Sequence, residues 1–131
     1  MIPKAIPYRY TKTELEELLD SIEILIDTRE KENKHITDYL KRQGVKFKTK
    51  KLDYGDYSFM IPANKQHGIF KDIYFNEQLV IERKASLEEL SNNMTHERQR
   101  FENELIRKGS CRFILLIENQ NGCRDIVNYK Y

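Results

Sequence analysis

The chain has 131 residues, the length of a single globular domain. Eight tyrosines, six phenylalanines and several aliphatic runs can fill a core, which excludes a disordered protein. The 23 basic and 21 acidic residues leave a net charge of +2, so composition by itself indicates no polyanionic partner. Two cysteines without a CxxC motif and the lack of an apolar signal core predict a reduced, cytosolic location and no membrane span.

The first half of the chain predicts two short helices and a buried strand. An irregular segment over residues 1–10 precedes a helix that Thr13 can cap. β-Branched residues predict a strand over 22–26. Helical spacing returns around residues 36–40, and Gly44 stands where that helix should end.

A basic strand follows. Residues 45–49 alternate strictly, which places Lys46, Lys48 and Lys50 on one face. Such a lysine face either contacts the phosphates of a DNA backbone or protects a sheet edge against unwanted pairing, and both interpretations stay open. A turn then leads into a predicted strand over 57–61.

The second half predicts the remaining elements of one sheet. Strands are expected over 69–75 and 79–84, followed by a helix that begins at Ser86 and a longer one that begins at Thr95. A strongly apolar strand over 112–118 ends the pattern. The order α-β-α-β-β-β-β-α-α-β predicts a mixed α/β domain built on one sheet.

The strand predicted over 79–84 ends in three consecutive charged residues, which are candidates for a catalytic site. Alternation along a strand puts Glu82 and Lys84 on one face and Arg83 on the other. A carboxylate and an ammonium side by side can bind a divalent metal and contact a phosphate. The alternative interpretation is a strand that simply runs out into solvent at this point.

Two aspartates strengthen the first interpretation. Asp27 closes the strand over 22–26, and Asp56 precedes the strand over 57–61. Carboxylates at several strand ends are the oxygen ligands that Mg²⁺ or Mn²⁺ prefers. Aspartate is also a common turn residue, so each one taken separately fits a structural role.

Three segments then carry a resemblance to a known family. They are residues 27–30 (DTRE), 55–57 (GDY) and 80–84 (VIERK). In order and spacing they resemble the ERCC4-type (XPF/MUS81/Hef-like) nuclease domain of the PD-(D/E)XK superfamily, over a core of residues 22–118. The run 81–90 is most similar to stand-alone versions from bacteria, their phages and mobile elements.

The resemblance implies a restriction-endonuclease-like fold, a mixed central sheet flanked by helices, in one domain over residues 1–131. It further implies an Mg²⁺- or Mn²⁺-dependent endonuclease that hydrolyses phosphodiester bonds in branched, forked or flapped DNA. A homodimer and a bacterial or phage-infected cytoplasm also follow from it. The alternatives are a non-catalytic module that binds branched DNA and a sequence-specific restriction enzyme.

The resemblance also implies residue roles. The expected metal ligands are Asp27, Asp56 and Glu82. The expected catalytic residues are these three acids together with Arg29, Glu30, Arg83 and Lys84. Glu88 stands where relatives usually have aspartate, which suggests a supporting position behind the ligands.

The longer helix offers two further candidates for binding DNA. Arg98 shares a face with Phe101 and Leu105, so we expect it to point inward toward a phosphate or carboxylate, and Arg100 follows it. The segment 62–78 is longer than in eukaryotic and archaeal relatives and predicts an extra hairpin. Relatives also continue beyond this chain with a helix and a strand, so a C-terminally truncated fragment is expected.

Overall fold

The computed structural model describes residues 10–107 and 109–131. The helices and strands of this part, in chain order, are α1 (Lys12–Asp20), β1 (Glu23–Ile26), α2 (Lys34–Arg42), β2 (Lys46–Thr49), β3 (Tyr57–Ile61), β4 (Ile73–Tyr74), β5 (Leu79–Lys84), α3 (Leu87–Thr95), α4 (Arg98–Arg107) and β6 (Arg112–Ile117). Short 3-10 turns lie at Lys65–His67 and Gly122–Asp125. This order confirms the predicted mixed α/β arrangement. No helix in the described part is long and apolar enough to cross a membrane.

One six-stranded sheet has the order β2-β1-β3-β5-β6, and β4 pairs with β3 beside this path. β3 runs antiparallel to both β1 and β5. The end of β1, the start of β3 and the end of β5 therefore meet at the same edge of the sheet. Two backbone bonds join them there, from Asp27 N to Asp56 O and from Asp56 N to Ile81 O, each 2.8 Å long.

The two faces of the sheet differ in character. The strand register places Leu25, Met60 and Val80 on one face, where all three are fully buried. Glu82 and Lys84 continue this face at the end of β5. The opposite face is packed by α2 and carries an apolar groove of about 300 Å³. The sheet therefore presents its charged strand ends beside a fully packed core.

The first helix begins earlier than predicted. Thr11, not Thr13, caps α1: its hydroxyl accepts a bond from Glu14 N, and the Glu14 carboxylate accepts one from Thr11 N. A glutamate also follows Thr13 at the third position, so the capping pattern fits both threonines equally well.

Two predicted boundaries in the second half are also wrong. Thr95 closes α3 instead of opening α4, because its hydroxyl donates to Ser91 O in the last turn of that helix. The strand expected over 69–75 shrinks to the two residues of β4, since the chain before it forms the 3-10 turn and an isolated bridge. Apart from Tyr10, the irregular segment expected over residues 1–10 lies outside the described residues.

Candidate active site

The carboxylate of Asp56 is held against the neighbouring strand β5. Its Oδ2 accepts a 2.7 Å hydrogen bond from Arg83 N. This close approach depends on Gly55, which has a φ of 78°, and a Cβ there would lie 2.7 Å from the Cβ of Val80. Glycine is therefore required at this position of the GDY motif, because a side chain would keep the Asp56 backbone from approaching β5.

Glu82 and Lys84 lie together on one face, as alternation predicted. Lys84 Nζ is 3.2 Å from Glu82 Oε1, and the lysine side chain is only 5% exposed. The same ammonium lies 5.6 Å from the ring centroid of Phe101 on α4. The lysine side chain is thus buried between a carboxylate and an aromatic face at the end of β5.

The carboxyl groups of Asp56 and Glu82 are harder to ionise than ordinary acids. Burial raises the pKa of Asp56 to about 6, and the Glu30 and Glu104 carboxylates add to the rise. Burial likewise raises the pKa of Glu82 to about 7, with Asp56 and Glu104 contributing repulsion. Lys84 acts against both increases without cancelling them. An additional cation near these carboxylates would therefore stabilise their charged forms.

These groups open onto a cleft of about 410 Å³. The residues that line it are Arg29, Glu30, Lys31, Glu32, Asp56, Glu82, Arg83, Ala85 and Glu89. The cleft is large enough for a phosphodiester and its solvent, and its walls carry both signs of charge. Its backbone is strained at one point, because Glu32 has a φ of 52°.

Arg83 projects from the opposite face and holds the cleft together. Its Nε donates to Glu118 Oε1 at 2.8 Å, and one Nη donates to Glu30 Oε2 at 3.3 Å. The other Nη donates to the carbonyl of Glu32 at 3.2 Å. The guanidinium also lowers the pKa of Glu118. Only 5% of the side chain is exposed, so Arg83 ties the 30–32 loop and the end of β6 to β5.

Asp27 is engaged by the protein on both oxygens. Oδ1 accepts a 2.8 Å bond from Leu52 N, and Oδ2 accepts bonds from Arg29 N at 3.2 Å and Arg29 Nε at 2.8 Å. Burial opposes ionisation of Asp27, but the bonds from Arg29 and Leu52 outweigh it and lower its pKa. Asp27 is therefore a charged group that positions Arg29 at the mouth of the cleft. Its expected role as a metal ligand stays a prediction.

The residues at this edge fit a hard divalent cation. Within residues 10–107 and 109–131, no three acidic, histidine or cysteine side chains converge into a ready ligand cluster. Mg²⁺, however, is usually bound through one or two carboxylates, with water and substrate phosphate completing the shell. Asp56 Oδ1 and Glu82 Oε2 form no hydrogen bond in the described chain, so each acid keeps one oxygen for an ion.

Two glutamates at the site were missed by the sequence reasoning. Glu104 on α4 raises the pKa of both Asp56 and Glu82, and Glu89 lines the cleft and accepts a 2.7 Å bond from Ala85 N. Helical spacing could have found Glu104, since it lies three residues after Phe101. The neighbouring Glu88 is exposed, and its supporting role stays a prediction.

The candidate DNA contacts occupy three different settings. β2 is an edge strand, so both interpretations of its lysine face remain open. The inward orientation expected for Arg98 is wrong: its side chain is 72% exposed and pairs with Glu102, because it stands at the first turn of α4, where side chains lean past the helix end. Arg100 is exposed and lines an open groove along α4.

A model of the ERCC4 domain matches residues 26–131, from the last residue of β1 onward. The chain belongs to the ERCC4 domain family. Together with the mixed sheet and its flanking helices, this match confirms the restriction-endonuclease-like fold. ERCC4 domains are generally nucleases that bind DNA and use a divalent metal. A search among curated proteins finds no significant match.

Proposed function

We propose that this ERCC4 domain is a Mg²⁺-dependent endodeoxyribonuclease that hydrolyses phosphodiester bonds in branched, forked or flapped DNA. The observation that carries the proposal is the pair of half-buried carboxylates, Asp56 and Glu82, beside Lys84: burial raises the pKa of both, and repulsion from neighbouring acids adds to the rise. A divalent metal, which can catalyse phosphodiester hydrolysis, would stabilise the charged forms of such a pair.

Asp56 and Glu82 would hold the divalent cation through their unbonded oxygens. When bound, the ion supplies Lewis-acid charge to the scissile phosphate and lowers the pKa of a water. The protein prepares this site before any ligand arrives, since the backbone N of Arg83 orients Asp56 and the ammonium of Lys84 orients Glu82. Mn²⁺ has the same ligand preference and is expected to substitute.

Lys84 and Arg29 would act on the phosphate itself. The buried ammonium of Lys84 lies beside Glu82 and would stabilise the negative charge that develops on the phosphoryl oxygens. Arg29 is two-thirds exposed at the mouth of the cleft and is oriented by Asp27, so it would contact the incoming backbone. Glu30 and Arg83 pair with each other and keep the cleft in shape.

The proposal includes a homodimer. On the α2 face of the edge strand β6, Ile114 is 41% exposed and Leu116 is 43% exposed, and Leu116 also lines the apolar groove. An exposed apolar patch of this kind favours association. Sedimentation velocity should show a concentration-dependent dimer for the wild type and a monomer for Leu116→Glu. A wild-type monomer at all concentrations would refute this part.

A cleavage panel tests the reaction and the substrate. Linear, forked, flapped and four-way DNA are incubated with Mg²⁺ and wild-type protein, with Asp56→Asn as the matched control. We expect cleavage of the fork and the flap, little of linear DNA, and none by the variant. Binding without cleavage would instead favour the non-catalytic module. Cleavage of linear DNA at one defined sequence would favour a restriction enzyme.

A further inference from the structure

Two lysines, one in the edge strand β2 and one just after it, lie close to one aromatic ring of the 62–78 insertion. Lys50 Nζ lies 4.6 Å from the ring centroid of Tyr74, and Lys48 Nζ lies 5.3 Å from it. Lys48 Nζ also lies 3.5 Å from the Tyr74 hydroxyl. The tyrosine side chain thus keeps two positively charged ammonium groups close together, although like charges repel each other.

These ammonium groups lack an acidic partner. Across the described residues neither Lys48 nor Lys50 forms an ion pair with a carboxylate. Their neighbour on the same face, Lys46, forms no ion pair in the described residues either, but the register places it beside Glu23 of β1, whose negative charge offsets it in part. Lys48 is instead beside Leu25. The uncompensated positive charge of the strand is therefore concentrated at Tyr74.

The same sheet face carries the acid cluster. The register aligns Tyr74 with Met60 on β3, and Met60 shares its face with Glu82 at the end of β5. Met60 lies four residues along β3 from Asp56, so the backbone position of Tyr74 is offset from the acids by about 14 Å along the strands, at ~3.4 Å per residue. One DNA strand can therefore reach both positions with phosphates only a few nucleotides apart.

We propose that Lys48, Lys50 and Tyr74, the lysine–tyrosine clamp, bind phosphates of the DNA whose backbone is cleaved at Asp56 and Glu82. This inference rests on the proposed function for the identity of the ligand. Two ammonium groups and a hydroxyl donor lie close enough together to bind neighbouring phosphates, whose negative charge relieves the repulsion between the ammonium groups. The clamp also gives the 62–78 insertion a purpose: β4 carries the ring that gathers the two charges over the sheet.

The clamp makes a prediction about salt dependence that edge protection does not. Binding of a fluorescent forked DNA is measured by anisotropy in EDTA, so that no cleavage occurs, over a series of KCl concentrations. Each phosphate contact that is lost should flatten the plot of log affinity against log salt by roughly 0.7–0.9. Lys48→Gln and Lys50→Gln should each produce this change, and Lys46→Gln is the matched control that should not.

Variants of Tyr74 distinguish the contribution of the ring from that of the lysine charges. Tyr74→Phe keeps the ring and should retain binding within about threefold, whereas Tyr74→Leu releases both ammonium groups and should weaken binding by about tenfold at low salt. Circular dichroism of each variant checks that the fold is intact. Equal salt slopes for all three lysine variants, or wild-type binding by Tyr74→Leu, would overturn the clamp.

The clamp and the proposed function fail in distinguishable ways. If the wild type cleaves forked DNA in Mg²⁺ but the salt slopes of the variants do not differ, the nuclease stands and the clamp is wrong. If the slopes differ as expected but no DNA is cleaved, the clamp stands and the protein is a DNA-binding module. The EDTA and Mg²⁺ arms use the same DNA and the same protein preparations.

Discussion

Replacing Glu82 by glutamine should make the metal-free protein more stable at alkaline pH. The substitution keeps the size of the side chain and an oxygen for the Lys84 ammonium, but removes one negative charge from the acid cluster. Buried carboxylates that repel one another destabilise the fold when they are ionised. The expected gain therefore appears only at a pH where Glu82 is charged.

The magnitude follows from the pKa of Glu82, which rises from 4.5 to about 7 on folding. Below pH 4.5 the group is protonated in both states and has little effect on stability. Between pH 4.5 and about 7 the folded state holds a proton on Glu82 that the unfolded state has already lost. The free energy of unfolding therefore falls as the pH rises through this range. The full difference corresponds to about 3–4 kcal/mol at ~1.4 kcal/mol per pKa unit. We expect about 2 kcal/mol, since glutamine bonds Lys84 less strongly than glutamate does.

Urea unfolding in EDTA, at pH 5 and pH 8, measures this difference. The wild type should lose stability between the two values, and Glu82→Gln should lose clearly less. Glu88→Gln, at an exposed position without hydrogen bonds in the described chain, is the matched control and should behave like the wild type. Added Mg²⁺ at pH 8 should stabilise the wild type and not Glu82→Gln. Identical pH dependence of the wild type and Glu82→Gln would refute the reasoning.

Three further substitutions test the framework of the domain by urea unfolding, two at the site and one where α1 packs. Gly55→Ala should destabilise by about 2–4 kcal/mol, because it strains a positive φ and places a Cβ against Val80; a loss below about 1 kcal/mol would show that β5 can move aside. Arg83→Met should cost about 3 kcal/mol, since it leaves carboxylates without a partner, and wild-type stability would contradict a tying role. His67→Ala should cost about 1–3 kcal/mol, because it breaks the 2.8 Å contact between His67 Nε2 and Glu17 Oε2 on α1. Wild-type stability would show that the packing of α1 does not depend on this contact.

The strand ends could be read from sequence because short-range patterns determine them. Residues 79–84 form β5 with the predicted bounds, and alternation correctly separates Glu82 and Lys84 from Arg83. The turn predicted before the strand over 57–61 is likewise present, with Gly55 at a positive φ, but its contact with β5 was not predicted. These features depend on side-chain periodicity and on one backbone conformation, and both are visible in a few consecutive residues.

The remaining features of the site depend on contacts between distant segments. Glu104 reaches the acid cluster only because α4 packs near the end of β5. Tyr74 meets Lys48 of β2 and Lys50, just after β2, only through the register of β4. Arg98 was expected to point inward because it shares a helix face with Phe101, but in the first turn of α4 its side chain extends into solvent instead. Pattern identifies a face, and only the fold determines what that face contacts.

Single-turnover cleavage of forked DNA by the wild type and by Glu82→Gln, in the same Mg²⁺ buffer, tests the central claim most directly. The variant retains the fold, the ammonium of Lys84 and the lysines of β2, so only the carboxylate at the proposed metal site differs. The account predicts cleavage by the wild type, a loss of at least 10²–10³-fold in rate for the variant, and DNA binding that is unchanged or tighter. Cleavage by Glu82→Gln at the wild-type rate would contradict it.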